Sequence, residues 1–210
     1  MIPAWLRRPS GRLAITATLL ALTLLVVSNV AATLFWTSAG GVGLLDLSGG
    51  ANLLDPHTTI ALPASGPERL LAIRDAYSSS ATTAHAWLLC TVDLAFPAAI
   101  GLMGWSVVAW ASHPLPGRRR RAFQVLGATV AICYPVADWT ENILELALLA
   151  GHDSAATLVV AVTSIKMAVF GAVVIVMTAA LVARFIRLCA AAPDDETAVP
   201  TRTEAVECPS

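Results

Sequence analysis

Four stretches of this chain are long and apolar enough to cross a lipid bilayer, and they limit the folds that it can adopt. A helix needs about 20 apolar residues to span the hydrocarbon core. Backbone polar groups must find partners inside the membrane, so such stretches are expected to be helical. Charged residues make up only 13% of the chain, well below the roughly 25% of a soluble domain. We therefore predict an all-α integral membrane four-helix bundle, with spans at 13–36, 87–111, 122–149 and 156–183.

The positions of the arginines predict how these spans are oriented. Arginines precede the first span, fill the loop at 118–121 and follow the fourth span. Between the first two spans there are only Arg69 and Arg74, and the loop at 151–155 contains no arginine. Because basic residues stay on the cytoplasmic side, both termini are expected to be cytoplasmic. The expected location is the cell membrane, as a multi-pass protein surrounded by the lipid bilayer.

The outer loop, residues 37–86, contains one helical signal. The loop is rich in Gly, Ser and Pro, but residues 67–77 have an apolar side, and Ser65 and Glu68 are spaced as in a capping box. The pattern predicts a short helix on the outer surface that covers the bundle as a lid. A plain linker is the alternative interpretation.

Composition excludes several classes of protein. The net charge of −1 gives no global basic surface for nucleic acid. None of the four cysteines forms a C-x-x-C pair or lies in the outer loop, which argues against a thiol-redox enzyme and a disulfide framework. The four histidines are scattered through loops and ends, and we assign no metal to them. Residues 191–210 form an acidic segment and are predicted to be a disordered cytoplasmic tail. Residues 1–190 are then the four-span domain.

Several polar residues fall inside the predicted spans. Ionisable groups within a membrane are rare, because each costs several kcal/mol, and they are candidates for function by default. A rise of about 1.5 Å per residue gives the depth of each polar residue in its span, and all of them fall in the outer half of the bilayer. Four helices thus deliver polar groups to one layer, and the set consists of Asn29, Asp93, Asp138, Glu141, Asn142, Glu145 and Lys166.

The spacing of these residues predicts that they converge. Asp138, Glu141, Asn142 and Glu145 stand at i, i+3, i+4 and i+7, which places them on one side of a helix. Glu145 is nearest to the outer interface and is expected to reach water. On the second span, four residues share one side of the helix: Asp93, Pro97, Gly101 and Gly104. The small residues on this side either let a neighbouring helix approach or leave room for a ligand.

A count of charges suggests acid chemistry. One lysine, Lys166, faces the carboxyl groups of Asp93, Asp138 and Glu141. It cannot neutralise all three, and burying an uncompensated charge is unfavourable. At least one carboxyl is therefore expected to stay protonated at neutral pH. The alternative is that these groups only hold the helices together, at about 0.6 kcal/mol per hydrogen bond.

The first functional hypothesis is an enzyme that acts on a lipophilic small molecule. A protonated carboxyl in an apolar cavity could protonate an alkene or epoxide of an isoprenoid, with Asp138 or Glu141 as proton donor, Asp93 as supporting carboxyl and Lys166 as charge partner. No metal is required. A magnesium variant using Asp138, Glu141 and Glu145 ranks lower, because there is no D-D-x-x-D run. The predicted pocket residues are Asn29, Phe96, Trp105, Tyr134, Trp139, Asn142 and Phe170.

Two short motifs carry a resemblance to known proteins. The sequences V-D-L-A-F-P at 92–97 and P-V-A-D-W-T-E-N at 135–142, with Lys166 in the last span, resemble a family of small, uncharacterised four-helix bacterial membrane proteins. That family pairs a D-x-x-x-P span with a D-x-x-E-N span. In size and span number the chain is also similar to small bacterial membrane-bound terpene cyclases. This second resemblance implies metal-free, protonation-initiated cyclisation, with Asp93, Asp138 and Glu141 as the matching acids.

Two other classes of function remain open. A proton-coupled small-molecule carrier also uses intramembrane carboxylates beside a lysine. However, no inverted repeat is visible, and the inner half of each span is Ala, Val and Leu, with no polar exit path. A non-catalytic membrane subunit would use the polar cluster for packing or for a partner. The oligomeric state does not follow from the sequence.

Overall fold

The chain is helical throughout the part that the structure describes. The computed structural model describes residues 11–38 and 66–190, and every regular element within these ranges is a helix. The predicted all-α class is therefore confirmed for these ranges. The predicted tail at 191–210, Ser65 and part of the outer loop lie outside them. The helices are α1 Gly11–Ser38, α2 Pro67–Ala76, α3 Ser79–Cys90, α4 Val92–Ala111, α5 Gly117–Leu149 and α6 Ala155–Cys189.

Within the described ranges, three helical segments have the length and apolarity needed to cross a membrane. They are Gly11–Ser28 in α1, Ser79–Ala111 across α3 and α4, and Ala155–Cys189 in α6. The prediction of membrane-spanning helices is confirmed at this level. The predicted third span lies within α5, whose apolar sequence is interrupted by its polar residues.

Close approach of the helices depends on glycine. α4 packs against α1, α5 and α6, and α5 packs along α6. A Cβ atom at Gly101 would clash with the carbonyl oxygen of Ala131 on α5, and one at Gly127 would lie 2.7 Å from Val108 Cγ1. The small residues of α4 thus bring a neighbouring backbone close at Gly101, rather than leaving room there for a ligand.

The predicted second span, 87–111, is broken at Thr91. α3 ends at Cys90, Thr91 has φ −122° and ψ −86°, and α4 begins at Val92. The Thr91 hydroxyl donates to the carbonyl of Trp87 at 2.7 Å. Further along, Pro97 lacks the N–H that would bond the carbonyl of Asp93. Because α4 begins at Val92, Asp93 lies in the first turn of a new helix, beside the irregular backbone at Thr91.

α2 packs across the last residues of α5 and the first residues of α6. We call this end of the helix assembly the α2 end. Leu70 and Ile73 are buried there against Leu148, Ala156 and Val159. The predicted short helix is thus present, and it is packed rather than a free linker. The N-cap residue is Gly66, with φ 88° and no side-chain hydrogen bond, while Ser65 of the predicted capping box lies outside the described residues.

Arg74 ties α2 to the loop between α5 and α6. Its guanidinium donates hydrogen bonds to Asp153 in that loop and, at 2.7 Å, to the neighbouring Asp75. The pKa of Arg74 is raised above its ordinary value. The hydrogen bond to Asp153 is the largest cause, and the hydrogen bond to Asp75 is the next largest. The tether is thus an ion pair between a guanidinium and two carboxylates.

Two apolar clusters are buried in the interior away from α2. One buried cluster joins α1, α4, α5 and α6, and a second lies at the Ala111 end of α4. At that end the Arg184 guanidinium stacks 4.0 Å above the Trp110 ring and donates to the Trp110 carbonyl at 3.1 Å. The buried members of the two clusters are Ala21, Ala99, Ile100, Tyr134 and Val173, and Val108, Ala111 and Ala180.

Candidate functional site: a buried lysine–carboxylate cluster

Lys166 on α6 joins two carboxyl groups of α5. Its Nζ lies 3.4 Å from Asp138 Oδ1 and forms an ion pair with Glu141 Oε2. Only 14% of the Lys166 side chain is exposed, against 5% for Asp138 and 2% for Glu141. The structure thus brings together three of the four residues that the sequence predicts to be catalytic, in an environment with little water.

Glu141 has a partner at both carboxyl oxygens. Oε2 contacts Lys166, and Oε1 accepts a hydrogen bond from the hydroxyl of Thr163, one turn away from Lys166 on α6. The same hydroxyl lies 2.9 Å from the carbonyl of Val159. Ionised carboxylates favour such paired contacts. Glu141 is thus held as the counter-ion of Lys166.

Asp138 and Asn142 each leave one buried polar atom without a hydrogen bond. Asp138 Oδ2 and Asn142 Nδ2 have no hydrogen-bond partner among the described residues, although the two residues are only 3% and 6% exposed. They stand one helical turn apart on the same side of α5. A buried polar atom without a partner costs about 1–3 kcal/mol. These two atoms are therefore the part of the cluster whose hydrogen-bonding capacity is unused among the described residues.

Asp93 reaches this cluster from α4. It is half-buried in the first turn of that helix and close enough to Asp138 for their charges to interact. Beside it, Trp139 Nε1 on α5 donates to the carbonyl of Leu94 at 3.0 Å. This hydrogen bond fixes the start of α4 against α5. The relative position of Asp93 and Asp138 therefore depends on Trp139, which the sequence suggests only as a pocket aromatic.

Three of the predicted pocket aromatics lie one turn beyond Asp138, toward the Ala111 end. Tyr134 is buried, its ring centroid is 5.6 Å from that of Phe170, and Phe96 packs against the same cluster. Trp105 belongs to another layer, since it lies twelve positions after Asp93 on α4, about 18 Å along the helix. The side chain of Asn29 lies outside the part of the chain that the structure describes.

The structure corrects the sequence prediction for two residues of the site. Glu145, which the sequence predicts to reach water, is only 3% exposed. His85, which the sequence does not single out among the four histidines, is 2% exposed, and its Nε2 lies 3.7 Å from Glu145 Oε2. The spacing of Ala81, His85 and Leu89 on α3 places all three on one buried side. This four-residue repeat is the signal that could have identified His85.

The carboxyl groups of α5 face basic side chains of neighbouring helices. Among the residues that the structure describes, no three His, Cys, Asp or Glu side chains are grouped so that they could hold a metal ion. Asp138 and Glu141 face Lys166 instead, while Glu145 faces His85. Each of these three carboxyl groups thus lies beside a basic side chain.

Fold and site together define a class: a protein that is helical over its described residues, has helices long and apolar enough to cross a membrane, and contains a buried lysine–carboxylate cluster. Comparison with protein-family models, with curated proteins and with solved structures finds no match.

Proposed function

We propose that the chain is a multi-pass protein of the cell membrane, with four spans and both termini in the cytoplasm. The fourth span is α5, whose 33 residues cover about 50 Å, more than the roughly 30 Å of the hydrocarbon core. Large apolar side chains of α5 are exposed, whereas four of its polar side chains are buried, as expected for a helix that faces lipid outside and a polar site inside. The buried polar residues are Asp138, Glu141, Asn142 and Glu145. The exposed set is Val125, Leu126, Ile132, Val136 and Ile143.

Within this bundle, we infer a membrane-bound enzyme that cyclises or isomerises an isoprenoid by acid catalysis, in the manner of a terpene cyclase. One observation carries this inference. Glu141 has partners at both carboxyl oxygens, whereas Asp138 keeps a buried oxygen without one. The contacts therefore divide the roles, with Glu141 as the ionised counter-ion of Lys166 and Asp138 as the proton donor.

The proposed reaction is a net isomerisation. The proton on Asp138 Oδ2 is transferred to a carbon of an alkene, or to the oxygen of an epoxide, and leaves a carbocation in the substrate. The electron pair of a second double bond closes the ring. A proton is then lost from the carbon beside the new cation to a carboxylate of the site, so that the product has the mass of the substrate. Lys166 stabilises the Asp138 carboxylate while the proton is away.

The apolar walls have two tasks in this reaction. They exclude water, which would capture a carbocation, and aromatic faces attract positive charge. Tyr134, Phe170 and Phe96 lie in the layer next to Asp138, so we assign them to the isoprenoid chain. Asp93 supports the acid from α4. The substrate is a lipophilic small molecule that enters from the bilayer, and the reaction requires no metal.

Product analysis tests this function. We would express the chain in a bacterium that makes farnesyl and geranylgeranyl compounds and examine the lipid extract by mass spectrometry. A new cyclic isomer of unchanged mass is expected from the wild type and from Glu68→Gln, which neutralises an exposed carboxylate on α2. It should be missing from Asp138→Asn at equal protein level. Extracts that show no new compound, despite normal membrane levels, would favour a proton-coupled carrier or a non-catalytic subunit.

A further inference from the structure

A second group of titratable side chains lies between α2 and the cluster, and the proposed reaction does not use it. His85 on α3 and Glu145 on α5 are both buried. Tyr77, which directly follows α2, is half-buried and places its hydroxyl 3.3 Å from His85 Nδ1. Glu145 also shares one side of α5 with Glu141 and Asp138, at distances of one and two helical turns.

We propose that His85 and Glu145 form a proton relay that recharges Asp138 from the α2 end of the protein. The relay rests on the proposed function in one respect, because Asp138 must be a protonated acid. Such a path is needed whenever the product loses its proton to a base other than Asp138. The acid is then left ionised inside a closed site, and a proton has to reach it through the protein.

The two ring nitrogens of His85 face different groups. Nδ1 faces the Tyr77 hydroxyl, and Nε2 faces Glu145 Oε2 at 3.7 Å, a distance typical of an ion pair rather than of a hydrogen bond. An imidazole placed in this way binds a proton at Nδ1 and releases the proton of Nε2. The released proton passes to the Glu145 carboxylate. The ring is then neutral, with its proton on Nδ1. It regains the Nε2–H tautomer when it rotates away from Glu145, takes a proton from water at Nε2 and returns the Nδ1 proton to water, so the net transfer of one proton to Glu145 stands.

The rest of the path runs along α5. Glu141 is one turn from Glu145, about 6 Å along the helix axis, and we assign the transfer between their carboxyl groups to one bridging water. Lys166 contacts both Glu141 and Asp138. Its ammonium gives a proton to the Asp138 carboxylate and takes one from protonated Glu141, which is left ionised. Each turnover of the relay therefore delivers one proton to Asp138 and restores every other group.

The alternative to a relay is that His85 and Glu145 have a purely structural role. His85 and Glu145 connect α3 to α5, and a buried ion pair of this kind could serve only to hold the two helices. Buried pairs are, however, weak contributors to stability, because desolvation offsets their attraction. The experiment must therefore follow the movement of protons as well as the integrity of the fold.

Infrared spectroscopy of the full-length protein in lipid vesicles measures this movement without a substrate. A protonated carboxylic acid has a carbonyl stretching band that shifts when its proton is replaced by deuterium, and Asp138→Asn identifies the band of Asp138. After a change from H2O to D2O, the band should shift roughly a hundredfold more slowly in His85→Gln and Glu145→Gln, the low end of what one proton-transfer group contributes. His152→Gln, at an exposed histidine in the loop between α5 and α6, should exchange like the wild type.

Rescue separates a relay from a structural contact. Imidazole should restore fast exchange in His85→Ala but leave Glu145→Gln slow. Wild-type exchange rates in both His85→Gln and Glu145→Gln would overturn the relay, as would slow exchange in His85→Ala that imidazole leaves unchanged. If no carboxylic acid band disappears in Asp138→Asn, the proposed acid is overturned and the relay with it. The two failures are thus read from different features of the spectrum.

Discussion

Lys166 Nζ lies 3.4 Å from Asp138 Oδ1 and at the same time forms an ion pair with Glu141, so one cation on α6 is shared by two carboxyl groups of α5. The two carboxyl groups are not equivalent. Glu141 is also bonded to Thr163, whereas Asp138 has an oxygen without a hydrogen-bond partner among the described residues. Because of this asymmetry, neutralising each residue should have a different consequence.

Glu141→Gln should destabilise the protein more than Asp138→Asn. Glutamine leaves Lys166 without its closest anion, and breaking a buried ion pair from one side costs about 3–5 kcal/mol. Asparagine at 138 is nearly isosteric and replaces a carboxyl that is bonded less fully. Thermal unfolding of the two variants in one detergent measures the difference. Equal melting temperatures for the two variants would contradict the assignment of Glu141 as counter-ion.

Gly101→Ala and Gly171→Ala should shift stability in opposite directions. A methyl group at Gly101 meets the carbonyl oxygen of Ala131, whereas one at Gly171 has no neighbour within 4 Å. Overpacking at Gly101 should cost about 1–3 kcal/mol. At Gly171 the higher helix propensity of alanine should gain up to about 1 kcal/mol. Unfolding of both variants measures the effect, and equal stability would mean that α4 and α5 are further apart than described.

Trp139→Phe should lower activity more than it lowers stability. Phenylalanine keeps an aromatic ring but loses the hydrogen bond to the carbonyl of Leu94, worth about 0.5–1.5 kcal/mol. Because this bond fixes the start of α4 beside Asp93, its loss should misplace the supporting carboxyl. The measurements are product formation and melting temperature, with Trp87→Phe, at an exposed tryptophan on α3, as the control. Full activity in Trp139→Phe would separate Trp139 from the site.

Arg74→Gln should loosen α2 without unfolding the protein. The guanidinium connects α2 to Asp153, whose side chain is 68% exposed, and such a bond contributes about 0.2–1 kcal/mol. The apolar contacts of Leu70 and Ile73 remain. Hydrogen exchange should therefore become faster in α2 alone. Unchanged exchange in α2 would show that its apolar contacts alone hold it in place.

The sequence is most informative where one helix carries the whole pattern. The i, i+3, i+4, i+7 spacing places four polar side chains on one side of α5, and all four are buried. They are Asp138, Glu141, Asn142 and Glu145. The pairing of Lys166 with the carboxyl groups follows from the cost of burying charge. These features are local or are fixed by charge balance, so they can be derived without knowing how the helices pack.

The remaining features depend on contacts between helices. The helix break at Thr91 is not visible in an apolar sequence, because hydropathy does not distinguish one helix from two consecutive ones. The burial of Glu145 depends on α3, which supplies His85. The choice between Asp138 and Glu141 depends on Thr163, which only the packing of α6 places beside Glu141.

The central claim is that Asp138 gives its proton to an isoprenoid, and isotope labelling tests it most directly. The purified protein would be placed in vesicles with farnesyl and geranylgeranyl compounds in D2O. The account predicts a cyclic product one mass unit heavier than the substrate, formed by the wild type and missing with Asp138→Asn. A cyclic product that carries no deuterium, or that Asp138→Asn still forms at the wild-type rate, would contradict it.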